Sequence, residues 1–159
     1  MEGLNIDGTI DLSLNIEGYG FRAVSCDVEE GLSTTGPVFV EIAMAADHDF
    51  EPLLEADATV VITVDGVEVR RFTRKLMSAA FLGMEEQALR YRLELRPAFH
   101  MLTLEMDTRK WRDQTTEAII SEVLRKASVD HSWQLERACA TRPYCVQYRE
   151  TTFDFVSRL

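Results

Sequence analysis

The chain has 159 residues, of which 46% are hydrophobic and 28% charged, and its formal net charge is −10. A folded chain of this length hides roughly two thirds of its unfolded surface, which leaves room for one domain or two small ones. The apolar content excludes disorder as the main state, and no apolar run approaches the ~20 residues that a membrane span needs. The excess of acidic residues disfavours nucleic acid and anionic lipid surfaces as partners.

The first hundred residues carry the alternation that is typical of β-strands. Residues 9–17 place Ile10, Leu12, Leu14 and Ile16 on one face and polar residues on the other, which indicates a half-buried strand. Further strands are predicted at 21–28 and 38–44, separated by a loop at 31–37, and at 76–82 and 88–95. Six or seven short strands in this span favour a barrel or a sandwich.

One hairpin stands out within this region. Asp65 and Gly66 separate two valine-rich runs, residues 59–64 and 67–72. A type I′ turn needs positive φ at both central residues, and Asp-Gly supplies this at low cost. The basic residues that follow, Arg70, Arg71, Arg74 and Lys75, are interpreted as a solvated strand face rather than a ligand site.

The pattern changes at Pro97, which can open a short helix over residues 98–104 because its missing N–H costs nothing in a first turn. Thr115 is a good N-cap for a helix that runs to about Ala127, with an apolar stripe along one face. A short strand at 144–148 leads to Thr151, which resembles the first residue of a capping box with Asp154 as its partner. The apolar face of the last helix ends abruptly, so we expect the chain to be a fragment of a longer polypeptide, with a chain that docks this helix on a partner as the alternative.

Catalytic and metal-binding patterns are weak. His48 lies between Asp47 and Asp49, a pattern that favours a polar turn over a cation site. Cys145 could form a nucleophilic pair with His131 or His100 only if folding brought them together. The sequence contains no GxSxG, P-loop, GxGxxG, HExxH or EF-hand pattern.

The cysteine count gives little support to a disulfide framework or a zinc site. Cys26, Cys139 and Cys145 are an odd number and lack a CxxC spacing. Cys139 and Cys145 could pair if their strands meet, but reduced thiols in a cytoplasmic chain fit equally well. The residues after Met1 also lack the basic start and apolar stretch of a secretory signal.

The end of the chain resembles a known family. Residues 142–159 read Arg-Pro-Tyr-Cys-Val-Gln-Tyr-Arg-Glu-Thr-Thr-Phe-Asp-Phe-Val-Ser-Arg-Leu, which is similar to the hallmark of VgrG, the spike protein of type VI secretion systems. Earlier segments match in the same order: residues 51–54, the strand at 91–97, the Asp-Thr-Arg element at 107–109 and the helix with Ile119 and Ile120. Ala98-Phe99 replaces the usual Trp-Leu, so a contractile phage tail or an extracellular injection particle stays open as the host system.

The resemblance implies a mainly β fold with a few short helices: a hub-like β-barrel domain over residues 1–104, then a segment over 105–159 that enters the next module. It also implies a structural role without a catalytic residue, a cofactor or a metal. The full-length protein would be a homotrimer that caps a hexameric, Hcp-like tube and meets baseplate components and effectors, with neither nucleic acid nor a small-molecule substrate. We expect assembly in the bacterial cytoplasm and export by the contractile machine.

The hallmark residues are expected to have mechanical roles. Thr151 would cap the last helix with Asp154, Phe155 and Leu159 would pack inward, Gln147 would satisfy backbone groups, and Arg158 would pair with Glu150 or an acidic segment further on. The full set of motif residues comprises Tyr144, Gln147, Tyr148, Glu150, Thr151, Asp154, Phe155, Arg158 and Leu159. Two alternatives stay open, a self-standing β-barrel binding module and a hydrolase that uses Cys145 or a carboxylate pair.

Overall fold

The computed structural model describes residues 8–32 and 34–159, so the start of the chain, where a secretory signal was sought, lies outside the described residues. The chain divides into two compact units, Met1–Pro97 and Ala98–Leu159. The assignment of 1–104 to the first barrel of a hub and of 105–159 to a following module stays a prediction. Within the described ranges, no helix has the length and apolar character to cross a membrane.

The first unit is built from antiparallel strands whose pairing closes on itself. The strands are β1 Ile10–Ile16, β2 Tyr19–Val28, β3 Val38–Met44, β4 Asp57–Val64, β5 Val67–Glu85 and β6 Ala88–Arg96. β1 pairs with β2 on one side and with β4 on the other, and the order around the ring is β1-β2-β3-β6-β5-β4. The predicted mainly β class is therefore confirmed.

The barrel interior is a packed core. Every strand contributes buried apolar side chains, and a short 3-10 helix at Glu51–Leu53 adds Leu53 from one end. Small barrels fill their interiors in this way, because alternate residues of each strand point inward. The buried side chains include Leu14, Ile16, Val38, Val40, Ile42, Val60, Phe72, Leu76, Leu93 and Leu95.

The Asp65-Gly66 hairpin is confirmed, since φ is 51° at Asp65 and 77° at Gly66 and the strands β4 and β5 flank it. The prediction of two strands at 67–72 and 76–82 is wrong, because both belong to the single strand β5. The polar residues Thr73, Arg74 and Lys75 interrupt the apolar alternation without ending the strand. At Lys75 the strand changes partner, from Asp57 of β4 to Arg96 of β6, and bulges beyond it bend the strand around the barrel.

The second unit contains a 3-10 helix at Ala98–Thr103, strand β7 at Met106–Thr115, helix α1 at Thr116–Lys126, strand β8 at Thr141–Thr151 and helix α2 at Thr152–Arg158. The predicted cap of α1 is confirmed, because Thr115 Oγ1 accepts a hydrogen bond from the Ala118 N–H at 3.2 Å. The sequence analysis did not predict β7, and it placed β8 only at 144–148. β7 and β8 form a two-stranded antiparallel ribbon.

Candidate functional site

The junction between β8 and α2 holds most of the motif residues. Thr151 caps α2, since its Oγ1 accepts from the Asp154 N–H at 3.0 Å and its hydroxyl donates to Asp154 Oδ2 at 2.6 Å. In a standard capping box the acidic side chain bonds the backbone N–H of the cap residue. Here Asp154 bonds the cap hydroxyl instead, so the predicted pairing is present in a different form.

Gln147 ties the end of the strand to the start of the helix. Its side chain is fully buried, and its Nε2 donates to the Glu150 carbonyl at 3.2 Å and to Thr152 Oγ1 at 3.3 Å. Arg149, between them, has a φ of 48°, so the backbone turns sharply at this point. The bonds of Gln147 stabilise the turn, because buried polar backbone groups are costly to leave unpaired.

Arg158 clamps the helix back onto the strand. Its Nε donates to Glu150 Oε2 at 2.8 Å and its Nη2 to Glu150 Oε1 at 2.6 Å, and Nη2 also donates to the Val146 carbonyl. This two-bond pairing lowers the pKa of the Glu150 carboxyl and raises the pKa of the Arg158 guanidinium. The guanidinium carbon also lies 5.0 Å from the centre of the Phe155 ring.

Phe155 is the apolar centre of this unit. It is fully buried, and its ring stacks on Trp111 of β7 with the centroids 5.0 Å apart and the planes at 14°. Ile119, Val123 and Cys145 complete the cluster, and the partly buried Leu159 packs against it, as the sequence predicts for an inward-facing residue. The sequence did not predict Trp111 as the stacking partner of Phe155, because Trp111 is the one apolar residue between Asp107 and Thr115.

The Asp-Thr-Arg element of the family resemblance lies in β7 and forms an ion-pair cluster. Arg109 donates through Nε to Asp107 and through Nη2 to Glu105, the latter at 2.9 Å. The pKa of Asp107 is lowered, first by the hydrogen bond from Arg109 and also by one from the Thr108 N–H. The cluster orders the start of β7 next to the point where the Thr152 N–H bonds the Glu105 carbonyl.

Tyr144 and Tyr148 differ from the rest of the motif. Their side chains lie on the outer face of the ribbon and are 57% and 63% exposed. Successive side chains of a strand point to opposite faces, so Cys145 and Gln147 point inward while the two tyrosines point outward. The nine motif residues thus comprise seven that pack or bond within the junction and an outer pair that contributes little to packing.

His48, which the sequence offers as a candidate cation ligand, lies in an aromatic cluster. His48 packs among the rings of Tyr19, Phe21 and Phe50, and its backbone N–H bonds the Asp47 carboxylate. Among the described residues, no group of three or more His, Cys, Asp or Glu side chains is placed to hold a metal ion.

Core packing and ion pairs account for Cys145 and for the basic cluster of β5, respectively. Cys139 and Cys145 are both free thiols, and Cys145 lies in the core next to Trp111 rather than beside a predicted base. The four basic residues from Arg70 to Lys75 pair with Glu30, Glu68 and Asp57 along the barrel surface.

The first unit is a barrel with a packed core, and the junction of β8 and α2 is held by internal hydrogen bonds and an ion pair. The sequence profile of the phage tail baseplate hub (GPD) family matches residues 29–159. The chain therefore belongs to the phage tail baseplate hub (GPD) family, whose name denotes a structural part.

Individual relatives extend this result. The chain is 30% identical over 160 aligned residues to the type VI secretion system spike protein VgrG3 of Vibrio cholerae, covering 98% of this chain and 16% of that protein. It is 43% identical over 114 residues to the spike protein VgrG1b of Pseudomonas aeruginosa, covering 71% of this chain and 15% of the relative.

A solved structure shows the same fold. The E. coli c3393 protein, a component of the type VI secretion system with structural similarity to T4 bacteriophage tail proteins, superposes with a TM-score of 0.72 at 24% identity. The match covers 92% of this chain and 42% of the E. coli chain. The chain thus spans less than half the length of each relative described here.

Proposed function

We propose that this chain is the hub segment of a type VI secretion spike and that it acts as a structural part without catalysis of its own. The observation that carries the proposal is the similarity to a type VI spike protein over 98% of the chain. The geometry supports a mechanical role. Buried side chains fill the barrel interior. The core therefore gives no support to the alternative of a barrel that binds a small ligand.

The junction of β8 and α2 is held rigidly, as a mechanical role requires. Arg158, Gln147 and Thr151 join β8 to α2 by side-chain bonds at both ends of the helix, in addition to the apolar packing of Phe155. Charge-assisted, bidentate bonds are the stronger class of hydrogen bond and restrict orientation as well as distance. We propose that this rigidity holds the following part of the spike in a fixed direction.

The proposal extends to the whole assembly. In it, the full-length protein is a homotrimer that caps an Hcp-like hexameric tube, meets baseplate components and carries effectors. It is assembled in the bacterial cytoplasm and exported by contraction. These partners and this location follow from the spike role and share its test.

A deletion in the encoding bacterium tests the proposal. We expect removal of the gene to abolish release of the tube protein into the medium, as measured by immunoblot of culture fluid and cells. A wild-type copy should restore release, as should the surface variant Arg125→Ala, whereas Phe155→Ala should not, because it removes the core of the junction. Undiminished tube release from the deletion strain would contradict the spike role.

A second candidate is the hub of a contractile phage tail, which the name of the matching family favours. Under this alternative, the deletion strain would still release tube protein by its secretion system but would produce no infectious particles after prophage induction. A plaque assay on the induced culture therefore separates the two assemblies.

A further inference from the structure

The outer face of the β7–β8 ribbon combines exposed tyrosines with cations. Arg112 lies opposite Tyr144 in the ladder, and Lys110 lies opposite Val146. Arg149 sits at the bulge next to Tyr148. We call the group of Lys110, Arg112, Tyr144, Tyr148 and Arg149 the tyrosine–cation face.

The cations of this face differ from two neighbouring cations of the second unit. Arg109, which points to the opposite side of the ribbon, and Arg158 of α2 are both paired with carboxylates. Within residues 8–32 and 34–159, Lys110, Arg112 and Arg149 form no ion pair. Instead, the guanidinium of Arg112 lies 6.0 Å from the Tyr144 ring centre and that of Arg149 lies 5.4 Å from the Tyr148 ring centre.

The distribution of charge makes this local excess unusual. Residues 1–97 contain 18 acidic and 8 basic residues, whereas residues 98–159 contain 9 of each. The second unit is therefore neutral overall. Two of the ribbon's carboxylates, Asp107 and Glu150, are already paired with Arg109 and Arg158, while Asp113, next to Arg112 in β7, is exposed and forms no ion pair with any residue that the structure describes. The three cations of the face thus outnumber the one unpaired carboxylate of the ribbon.

We propose that the tyrosine–cation face docks a partner protein through a carboxylate-rich surface. Three unpaired cations complement such a surface, and tyrosine and arginine are among the residues enriched where proteins bind one another. A protein fits better than a nucleic acid, because the chain as a whole carries a charge of −10 and the cations already lie over the rings that bases would stack on. The proposal depends only on this surface and is independent of the spike role.

The test measures binding of a fluorescein-labelled peptide rich in Glu, Asp and Phe by fluorescence anisotropy, using the whole chain. We expect the peptide to bind, and the triple variant K110A/R112A/R149A to weaken binding by about tenfold, because each lost surface pair contributes a modest amount. The control triple variant R125A/K126A/R137A removes the same charge from exposed positions on α1 and the following loop, and it should bind like wild type. The double variant Y144A/Y148A should also weaken binding and covers the case in which the triple variant misfolds, as judged by circular dichroism.

Three results would overturn the proposal. The first is a wild-type chain that does not bind the acidic peptide at low ionic strength, where such contacts are strongest. The second is an equal loss in the control triple variant, which would assign binding to net charge rather than to this face. The third is tighter binding of a single-stranded DNA oligonucleotide than of the peptide, which would make the face a nucleic-acid surface.

Discussion

Replacing Phe155 by alanine should strongly destabilise the second unit. The side chain is fully buried, stacks on Trp111 at 5.0 Å and lies beneath the Arg158 guanidinium. Truncation of a buried phenylalanine costs 3–5 kcal/mol through lost transfer energy and the cavity that remains, so we expect a loss of about 4 kcal/mol in the free energy of unfolding. The loss of ring stacking and of the cation–π contact places the value in the upper part of that range.

The position of the tryptophans makes the assay selective. The chain has two tryptophans, Trp111 and Trp133, and both lie in the second unit. Equilibrium unfolding in urea followed by tryptophan fluorescence therefore reports on the second unit. Phe155→Leu retains most of the apolar volume and should lose only about 1 kcal/mol, which keeps the measurement possible if the alanine variant is already unfolded.

The exposed ring of Tyr148 provides the control. Tyr148→Ala should change the unfolding midpoint little, because a side chain that is 63% exposed buries little area. A loss below about 1 kcal/mol for Phe155→Ala would refute the reasoning, since it would mean that the ring is not part of a tightly packed core.

Three further predictions concern the cap, the ion pair and the barrel hairpin. Thr151→Ala should cost about 1 kcal/mol by removing the acceptor of the Asp154 N–H, while Thr151→Ser should restore stability, both measured by tryptophan-detected unfolding. Because Arg158 lowers the pKa of Glu150 in the folded state, the pair stabilises the fold above the ordinary pKa of 4.5, and this contribution disappears as the pH falls through the folded-state value. Stability measured from neutral to acidic pH should accordingly fall less in Arg158→Met than in wild type, and an unchanged slope would contradict the pairing. Gly66→Ala should destabilise the barrel by about 1 kcal/mol, since φ is 77° and an added Cβ would meet no atom within 4 Å, so that the cost is conformational. Hydrogen exchange of the barrel amides would measure it, with Gly66→Asn, which tolerates this φ better, as the milder comparison.

Local patterns in the sequence predicted those elements whose formation depends on neighbouring residues. The turn at Asp65-Gly66 and the caps at Thr115 and Thr151 each follow from the conformation or hydrogen bonding of a few adjacent residues, and each is present in the structure. The pairing of Arg158 with Glu150 was likewise among the predicted contacts. The roles of these residues in an assembly remain predictions.

The elements that the sequence analysis missed depend on partners far away along the chain. β7 has a single apolar residue facing the core, so its strand character comes from its pairing with β8 and from the stacking of Trp111 on Phe155. The continuity of β5 through Thr73 and Lys75 depends in the same way on its exchange of β4 for β6 as a partner. Neither feature leaves a periodic signal in the segment itself.

The sequence by itself therefore determined the β class, the turns, the helix caps and the family resemblance, because these rest on residue type and short spacing. Only the tertiary structure decided that β1 and β4 close the barrel, that Trp111 is the partner of Phe155, and that three cations and two tyrosines share one exposed face. The physical reason is that long-range pairing is selected by the fit of whole surfaces. No single segment carries that information.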